Sequence, residues 1–188
     1  MMVNIPSMES MHTDARARDW LRKLRLDSCD AFLKIFAPDS PGKTAVVVAP
    51  RTVDGRSVFF KLYEYAAPSW NFWVRRSKAR CEFENYAAFE TLGIPTARRI
   101  ACGEIRDAFG RLRRAFILTE AIPRAWTLPQ FVGEHCPNRA TAESRPLRDG
   151  LCRQLATLTR WWFLSPRFGL AQHPRHVDAT GGAAIVVD

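Results

Sequence analysis

A lysine stands in the middle of an apolar strand, and a glutamate follows it on an amphipathic helix. The strand reads Ser57-Val58-Phe59-Phe60-Lys61-Leu62-Tyr63, and the glutamate is Glu82. In an extended chain Val58, Phe60 and Leu62 share one face, while Phe59 and Tyr63 share the other, so both faces are apolar. An ammonium is expensive to desolvate without a partner. Either the Lys61 stem snorkels to water, or an acid, and with it a phosphate, waits inside.

The acid has to come from an element that reaches the strand. Residues 77–92 give the clearest helix in the chain, with Ala79, Phe83, Tyr86 and Ala87 at i, i+4, i+7 and i+8. Ser77 suits the N-cap, Gly93 the C-cap, and Pro95 prevents continuation. At about 100° per residue, Glu82 projects about 40° from Tyr86 and about 20° from Phe89, at the edge of the apolar stripe. Glu84 projects the opposite way, towards solvent. Glu90 faces inward as well, but two turns further on, roughly 12 Å away. Glu82 is therefore the inward acid near the helix start. The competing reading is a stripe-edge carboxylate bent out to water.

The other elements follow in order. Residues 1–15 are expected to be disordered, and 14–26 to form a short amphipathic helix around Trp20, Leu21 and Leu24. Residues 31–36 read as a strand, 37–43 as a turn-rich connection, and 44–49 as a β-branched strand. Asp54-Gly55 carries the hairpin signal into the Lys61 strand. After the helix, 96–106 and 111–121 form a hairpin around residues 107–110. The sum is an α+β fold: a five-stranded antiparallel sheet with one packed helix. Beyond Pro123 the spacing predicts a short helix over 127–134, a polar linker over 137–146, and a long helix over 147–163. The long helix would bury Leu151, Leu155, Leu158, Trp161 and Trp162. Residues 165–188 read as irregular.

Composition narrows the class. The 188 residues are 47% hydrophobic and 25% charged, as in a soluble globular protein. No apolar run reaches the roughly 18 residues of a membrane span, and the N-terminus lacks the apolar core of a secretory signal. The five cysteines are scattered, with no metal-ligand spacing, which points to reduced thiols in the cytoplasm and to no metal site of their own. Net charge is +9, which admits nucleic acid, anionic headgroups or phosphorylated molecules as partners. Arg98, Arg99, Arg106, Arg111, Arg113 and Arg114 concentrate in one hairpin and read as a solvated face. No aromatic RNA-recognition strand is present, so a specific nucleic-acid partner is not expected.

These pieces resemble the small lobe of the protein-kinase-like fold in kind and order. The local text resembles the lipopolysaccharide kinase family, the InaA- and WaaP-like enzymes. The residues that carry the resemblance are Phe59-Phe60-Lys61-Leu62-Tyr63, Arg76-Ser77-Lys78-Ala79-Arg80-Cys81-Glu82-Phe83-Glu84-Asn85, Leu92-Gly93-Ile94-Pro95-Thr96 and Phe116-Ile117-Leu118-Thr119-Glu120. Together they cover about residues 30–163. The domains would be an N-terminal extension over 1–28, a small lobe over 29–123, and a partial helical large lobe over 124–188. The resemblance implies ATP and Mg2+, and phosphoryl transfer to inner-core sugars of lipopolysaccharide. It also implies a peripheral contact with the inner face of the membrane.

By that resemblance Lys61 would hold the α/β-phosphates, paired to Glu82. The loop with Gly42 would cover the phosphates, and Glu120 to Ile122 would face the adenine as a hinge. His176-Val177-Asp178 has the letters of the family's catalytic loop, which makes Asp178 the candidate catalytic aspartate. Ala183 stands where kinases place a metal-binding asparagine, and Asp188 stands where a metal aspartate would follow a strand. No metal ligand is identifiable. The residues after the long helix are too few for a complete large lobe. The expectation is a truncated or frame-disrupted member with little activity by itself. The alternative is a non-catalytic, pseudokinase-like module that binds a nucleotide or a partner.

Overall fold

A strand that is apolar on both faces needs cover on both sides, and the first half of the chain supplies it. The computed structural model describes residues 8–37, 46–66, 69–123, 125–127, 130, 133, 144–164 and 184–185. The chain divides into two compact units, Met1–Phe89 with Ala97–Ile122, and Glu90–Thr96 with Pro123–Asp188. In the first unit β1 (Met8–Thr13), β2 (Val46–Val53), β3 (Arg56–Glu64), β4 (Arg99–Arg106) and β5 (Leu112–Glu120) form one five-stranded sheet. The spatial order is β1-β4-β5-β3-β2, and every neighbouring pair is antiparallel. The mixed α and β architecture read from the sequence is present, with β3 in the interior of the sheet.

Two strands differ from the sequence reading. Residues 8–13 are an edge strand rather than disordered, with Met8 opposite Arg106 and Thr13 opposite Ala101. Their side chains are mostly exposed, so no alternation of apolar residues announces the strand. Backbone pairing and the buried Asp14 hold it: Asp14 donates its N–H to Ile100 at 2.8 Å and pairs through its carboxylate with Arg16 and Arg99. Residues 31–36, read as a strand, belong instead to helix α2 (Cys29–Phe36). The Ser28 hydroxyl caps it by accepting from the Ala31 N–H at 3.3 Å. Cys29, Phe32 and Phe36 then recur on one helical face, all fully buried. Five apolar residues around Lys34, read alone, fit either period; the cap decides for the helix.

The preceding residues, expected as one helix over 14–26, split into a 3-10 turn at Ala15–Ala17 and α1 (Arg18–Lys23). Trp20 and Leu21 of α1 join Phe32, Phe36, Val58, Phe60, Leu62, Ile100, Phe116 and Leu118 in the larger core cluster. Four ring pairs run through it, Phe32 with Phe116 at 4.9 Å, Phe60 with Phe116 at 5.4 Å, Phe36 with Phe60 at 5.6 Å and Phe32 with Phe36 at 6.0 Å. A short α3 (Asn71–Val74) precedes α4 (Lys78–Thr91), the expected packed helix. Ala79 and Phe83 of α4 pack with Tyr63, Cys102, Leu112, Ala115 and Ile117 in a separate cluster. Apart from the register shifts between β4 and β5, the strand residues of the two clusters alternate along β3, β4 and β5, so helices cover both faces of the sheet rather than one.

The turns obey their sequence signals. Asp54 and Gly55, at φ 50° and 75°, make the two-residue turn between β2 and β3. Gly93, at φ 67°, ends α4. Pro50 lies within β2, which an edge strand tolerates. In the second unit α5 (Ser144–Leu164) contains the expected long helix, but Leu155, assigned to its buried face, is exposed. Thr127 is extended rather than helical: β6 (Trp126–Thr127) pairs with β7 (Ala184–Ile185). Of the remaining residues of the helix expected over 127–134, Gln130 and Gly133 are helical and the others lie outside the described residues.

At Gly103 the sheet lies close against α2. A Cβ there would run into the Phe116 ring and lie 2.7 Å from the Cys29 sulfur. Neither neighbour can yield without disturbing the aromatic cluster. Gly103→Ala is expected to lower stability by about 1–3 kcal/mol, read as a shifted urea midpoint at unchanged slope. A neutral result would mean that α2 does not seat on β4 as described.

Candidate functional site

β3 lies between β2 and β5, with Lys61 opposite Val48 on one side and Ile117 on the other. Its neighbours Phe60 and Leu62 point into the larger core, so alternation sends Lys61 to the α4 side together with Tyr63. Glu82 sits in the second turn of α4. Lys61 Nζ donates to Glu82 Oε1 at 3.0 Å. The two side chains are 27% and 32% exposed, so the pair is partly desolvated yet still open to a ligand. The snorkelling alternative for Lys61 and the outward-bent alternative for Glu82 both give way to this contact.

Sequence reading missed a third member. The Tyr63 hydroxyl donates to the same oxygen, Glu82 Oε1. Burial, and then the bond to Glu82, hold the Tyr63 phenol far above its ordinary value, so it remains a donor throughout the working pH range. Lys61 Nζ also lies 5.1 Å from the centre of the Tyr63 ring. Tyr63 had registered only as an apolar strand residue. The available signal was its i+2 spacing from Lys61, which places both side chains on one face.

A second network sets the start of α4. The buried Ser77 caps the helix, its hydroxyl accepting from the Arg80 N–H at 3.0 Å. The Ser77 N–H donates to Glu104 Oε1 at 2.8 Å, and the Lys78 N–H donates to the Tyr65 hydroxyl at 3.0 Å. Arg106 completes the carboxylate, 3.3 Å from Glu104 Oε2. Burial pushes the Glu104 carboxyl up, but the Ser77 bonds and Arg106 outweigh it and hold the group below its ordinary value.

Other acids on α4 behave differently from expectation. Glu84, expected in solvent, forms ion pairs of 2.6 Å with Arg76 and with Arg80. Glu90, expected to face inward, is exposed. Glu120 bonds to Arg98 through its backbone N–H at 2.8 Å and meets Arg56 and Arg98 through its carboxylate at 3.6 and 3.8 Å. Its N–H is thus committed within the first unit. Ile122 is half-buried and is the last residue of that unit. Gly42, His176, Asp178, Ala183 and Asp188 lie outside the described residues.

The hairpin arginines are not a free basic face. Arg99 meets Asp14 at 3.3 Å, Arg113 meets Asp107 at 3.0 Å, and Arg114 meets Glu64 at 3.5 Å. Arg106 and Arg111 donate to backbone carbonyls. Burial pushes the core thiols of Cys29 and Cys102 up to about 12, which keeps these two protonated.

A strand lysine paired to a helix glutamate beside an antiparallel sheet is the small-lobe arrangement of the protein-kinase-like fold. A solved structure described as WaaP in complex with acyl carrier protein has this fold: it aligns with a TM-score of 0.58 and 18% identity over 80% of this chain and 57% of that one. The family model described as the lipopolysaccharide kinase (Kdo/WaaP) family matches residues 56–160. The chain belongs to that family. The match begins at the first residue of β3 and takes in Lys61, Tyr63, Glu82 and Glu104. Among curated proteins none matches the chain in sequence. The chain spans 57% of the length of the solved relative.

Two outcomes follow. Tyr63→Phe is expected to cost about 1–2 kcal/mol, as loss of a bond to a charged acceptor, by chemical denaturation. In a double-mutant cycle with Glu82→Gln the two losses should not add; additive losses would show that Tyr63 and Glu82 are independent. Glu104 has a folded pKa below its ordinary 4.5, so its contribution is full above that value. It is lost as pH falls through the folded pKa. The thermal midpoint should therefore fall on acidification below 4.5, and Glu104→Gln should flatten that fall. An equally steep fall in the variant would remove Glu104 from the account.

Proposed function

We propose that the first unit binds ATP, with Lys61 anchoring the α/β-phosphates and Glu82 fixing the lysine. The observation that carries this reading is the 3.0 Å contact between Lys61 Nζ and Glu82 Oε1 in a part-exposed setting. An ammonium has three donors and Glu82 takes one. A phosphate can take the others without leaving the carboxylate unpaired, and the Tyr63 hydroxyl keeps that carboxylate oriented when the lysine shifts. The bound nucleotide supplies the phosphoryl group. What Lys61 contributes is position and charge, which is most of what a protein does in such transfers.

The reaction proposed for the family's fold here is transfer to a hydroxyl of an inner-core sugar of lipopolysaccharide, in the cytoplasm. Asp178 would orient that hydroxyl. The Gly42 loop would lie over the phosphates, and the segment from Glu120 to Ile122 would meet the adenine. The family also implies Mg2+; the described residues contain no group of three or more His, Cys, Asp or Glu suited to a metal, and Asp178, Ala183 and Asp188 lie outside them. No step is assigned to a metal ion.

One sequence feature favours a second reading for this chain. Ala183 occupies the position of a metal-binding residue, and an alanine side chain binds no metal. The chain of residues 1–188 is then a nucleotide-binding module that turns ATP over slowly or not at all.

ATP is expected to raise the thermal midpoint of the chain, by the equivalent of about 2.7 kcal/mol at a hundred times its Kd. Lys61→Ala should abolish the rise. Radiolabelled transfer to inner-core lipopolysaccharide should stay near background. Turnover that is lost in Lys61→Ala would replace the second reading by the first. No response to ATP, together with salt-sensitive RNA binding, would sink both.

A further inference from the structure

One corner of the first unit exposes large apolar side chains that neither the sheet nor the Lys61 site uses. Trp70 is 78% exposed, Val74 76% and Phe109 79%, and Trp73 is partly exposed beside them. Trp70 and Trp73 are neighbours, ring centres 5.5 Å apart. Phe109 comes from the turn between β4 and β5, far away in sequence. One guanidinium joins the two segments: Arg106 donates to Phe72 O at 3.3 Å and Arg75 O at 3.0 Å on the α3 side, and to Gly110 O at 3.0 Å on the turn. Arg111 lies over the Trp73 ring at 5.5 Å. Two tryptophans, a valine and a phenylalanine thus crown one corner.

The surroundings of the corner are basic. Residues 69–78 and 106–114 contain seven arginines and lysines and one acid, Asp107. Asp107 is taken by Arg113, Glu84 of α4 by Arg76 and Arg80, and Glu104 by Arg106. Arg75 and Lys78 are exposed and form no ion pair among the described residues. The outward charge left at the rim is positive.

We propose that this corner docks the protein on an anionic lipid surface, with Trp70, Trp73, Val74 and Phe109 entering the interfacial layer and Arg75 and Lys78 meeting phosphate headgroups. Aromatic rings with basic neighbours are the composition that membrane–water interfaces favour. Each lysine or arginine near such a surface adds about 1 kcal/mol. The side chains project from a turn and a four-residue helix. That shape suits a fluid layer, which closes around a few protruding side chains. A protein partner needs about 800 Å² of matched surface on each side. The inference does not depend on nucleotide binding.

The test is co-sedimentation of the full chain with phosphatidylcholine vesicles, with and without phosphatidylglycerol, combined with tryptophan emission. Binding to the anionic vesicles, a blue shift on binding, and weakening by salt are expected. Trp70→Ser with Phe109→Ser should lower binding by about tenfold or more, at an unchanged melting temperature because both side chains are exposed. Arg75→Glu with Lys78→Glu should remove the preference for phosphatidylglycerol. Ile35→Ser, which removes exposed apolar surface from α2 instead, should change nothing. The proposal is overturned by absent binding, by equal binding to neutral vesicles, or by unchanged binding of the Trp70 and Phe109 variant. A concentration-dependent dimer that this variant loses, without vesicle binding, would assign the corner to protein contact instead.

Discussion

The contact between Lys61 and Glu82 depends on a strand and a helix keeping one register, and most of the first unit serves that register. One residue of slip along α4 turns a side chain by about 100°, enough to take Glu82 off the sheet. The start of α4 is therefore the critical point. Ser77 sets it, and the buried Glu104 holds the Ser77 N–H from β4 while Arg106 holds Glu104. Tyr65 takes the next N–H. The strand side is fixed by pairing on both edges of β3. A salt bridge seen as two residues is thus the visible end of a hydrogen-bond chain that runs through β4.

Much of this was legible because it is local. Asp54-Gly55 implies a tight hairpin, Ser77 and Gly93 imply helix ends, and the 3.6 period singles out Glu82 from Glu84. What stayed hidden depends on partners distant in sequence. α2 looks like a strand because a short apolar run has no readable period, and only the Ser28 cap and the facing sheet decide it. β1 hides because an exposed edge strand needs no apolar residues. Tyr63 hides because a phenol scores as apolar until an acceptor comes within reach. Glu104 hides because a single acid among Ile100, Ala101, Cys102 and Ile105 looks like an outward-facing residue. Glu90 erred the other way: helical projection places a side chain, but it does not show where the neighbouring surface ends.

Net charge is a poor guide to partners here. The +9 balance invites a search for a basic binding face, and the β4–β5 hairpin carries the arginines that suggest one. Yet those guanidiniums are structural, spanning carboxylates and orphan carbonyls across turns. An arginine with five donors is suited to that task where a lysine is not. The charge that matters is what remains after such pairing, and on the α3 corner it remains at Arg75 and Lys78.

The part-exposure of Lys61 and Glu82 fits a functional pair better than a stabilising one. A deeply buried pair costs several kcal/mol of desolvation per ion and often contributes nothing net to stability. A fully exposed pair gives little and fixes nothing. At about a quarter to a third exposed, each group is desolvated enough for its geometry to be set, yet the ammonium is not sealed from water. Tyr63 strengthens the argument. A carboxylate that served only to neutralise the lysine would not need a second donor on the same oxygen. With that donor present, the lysine can lean towards an anion while Glu82 stays where it is.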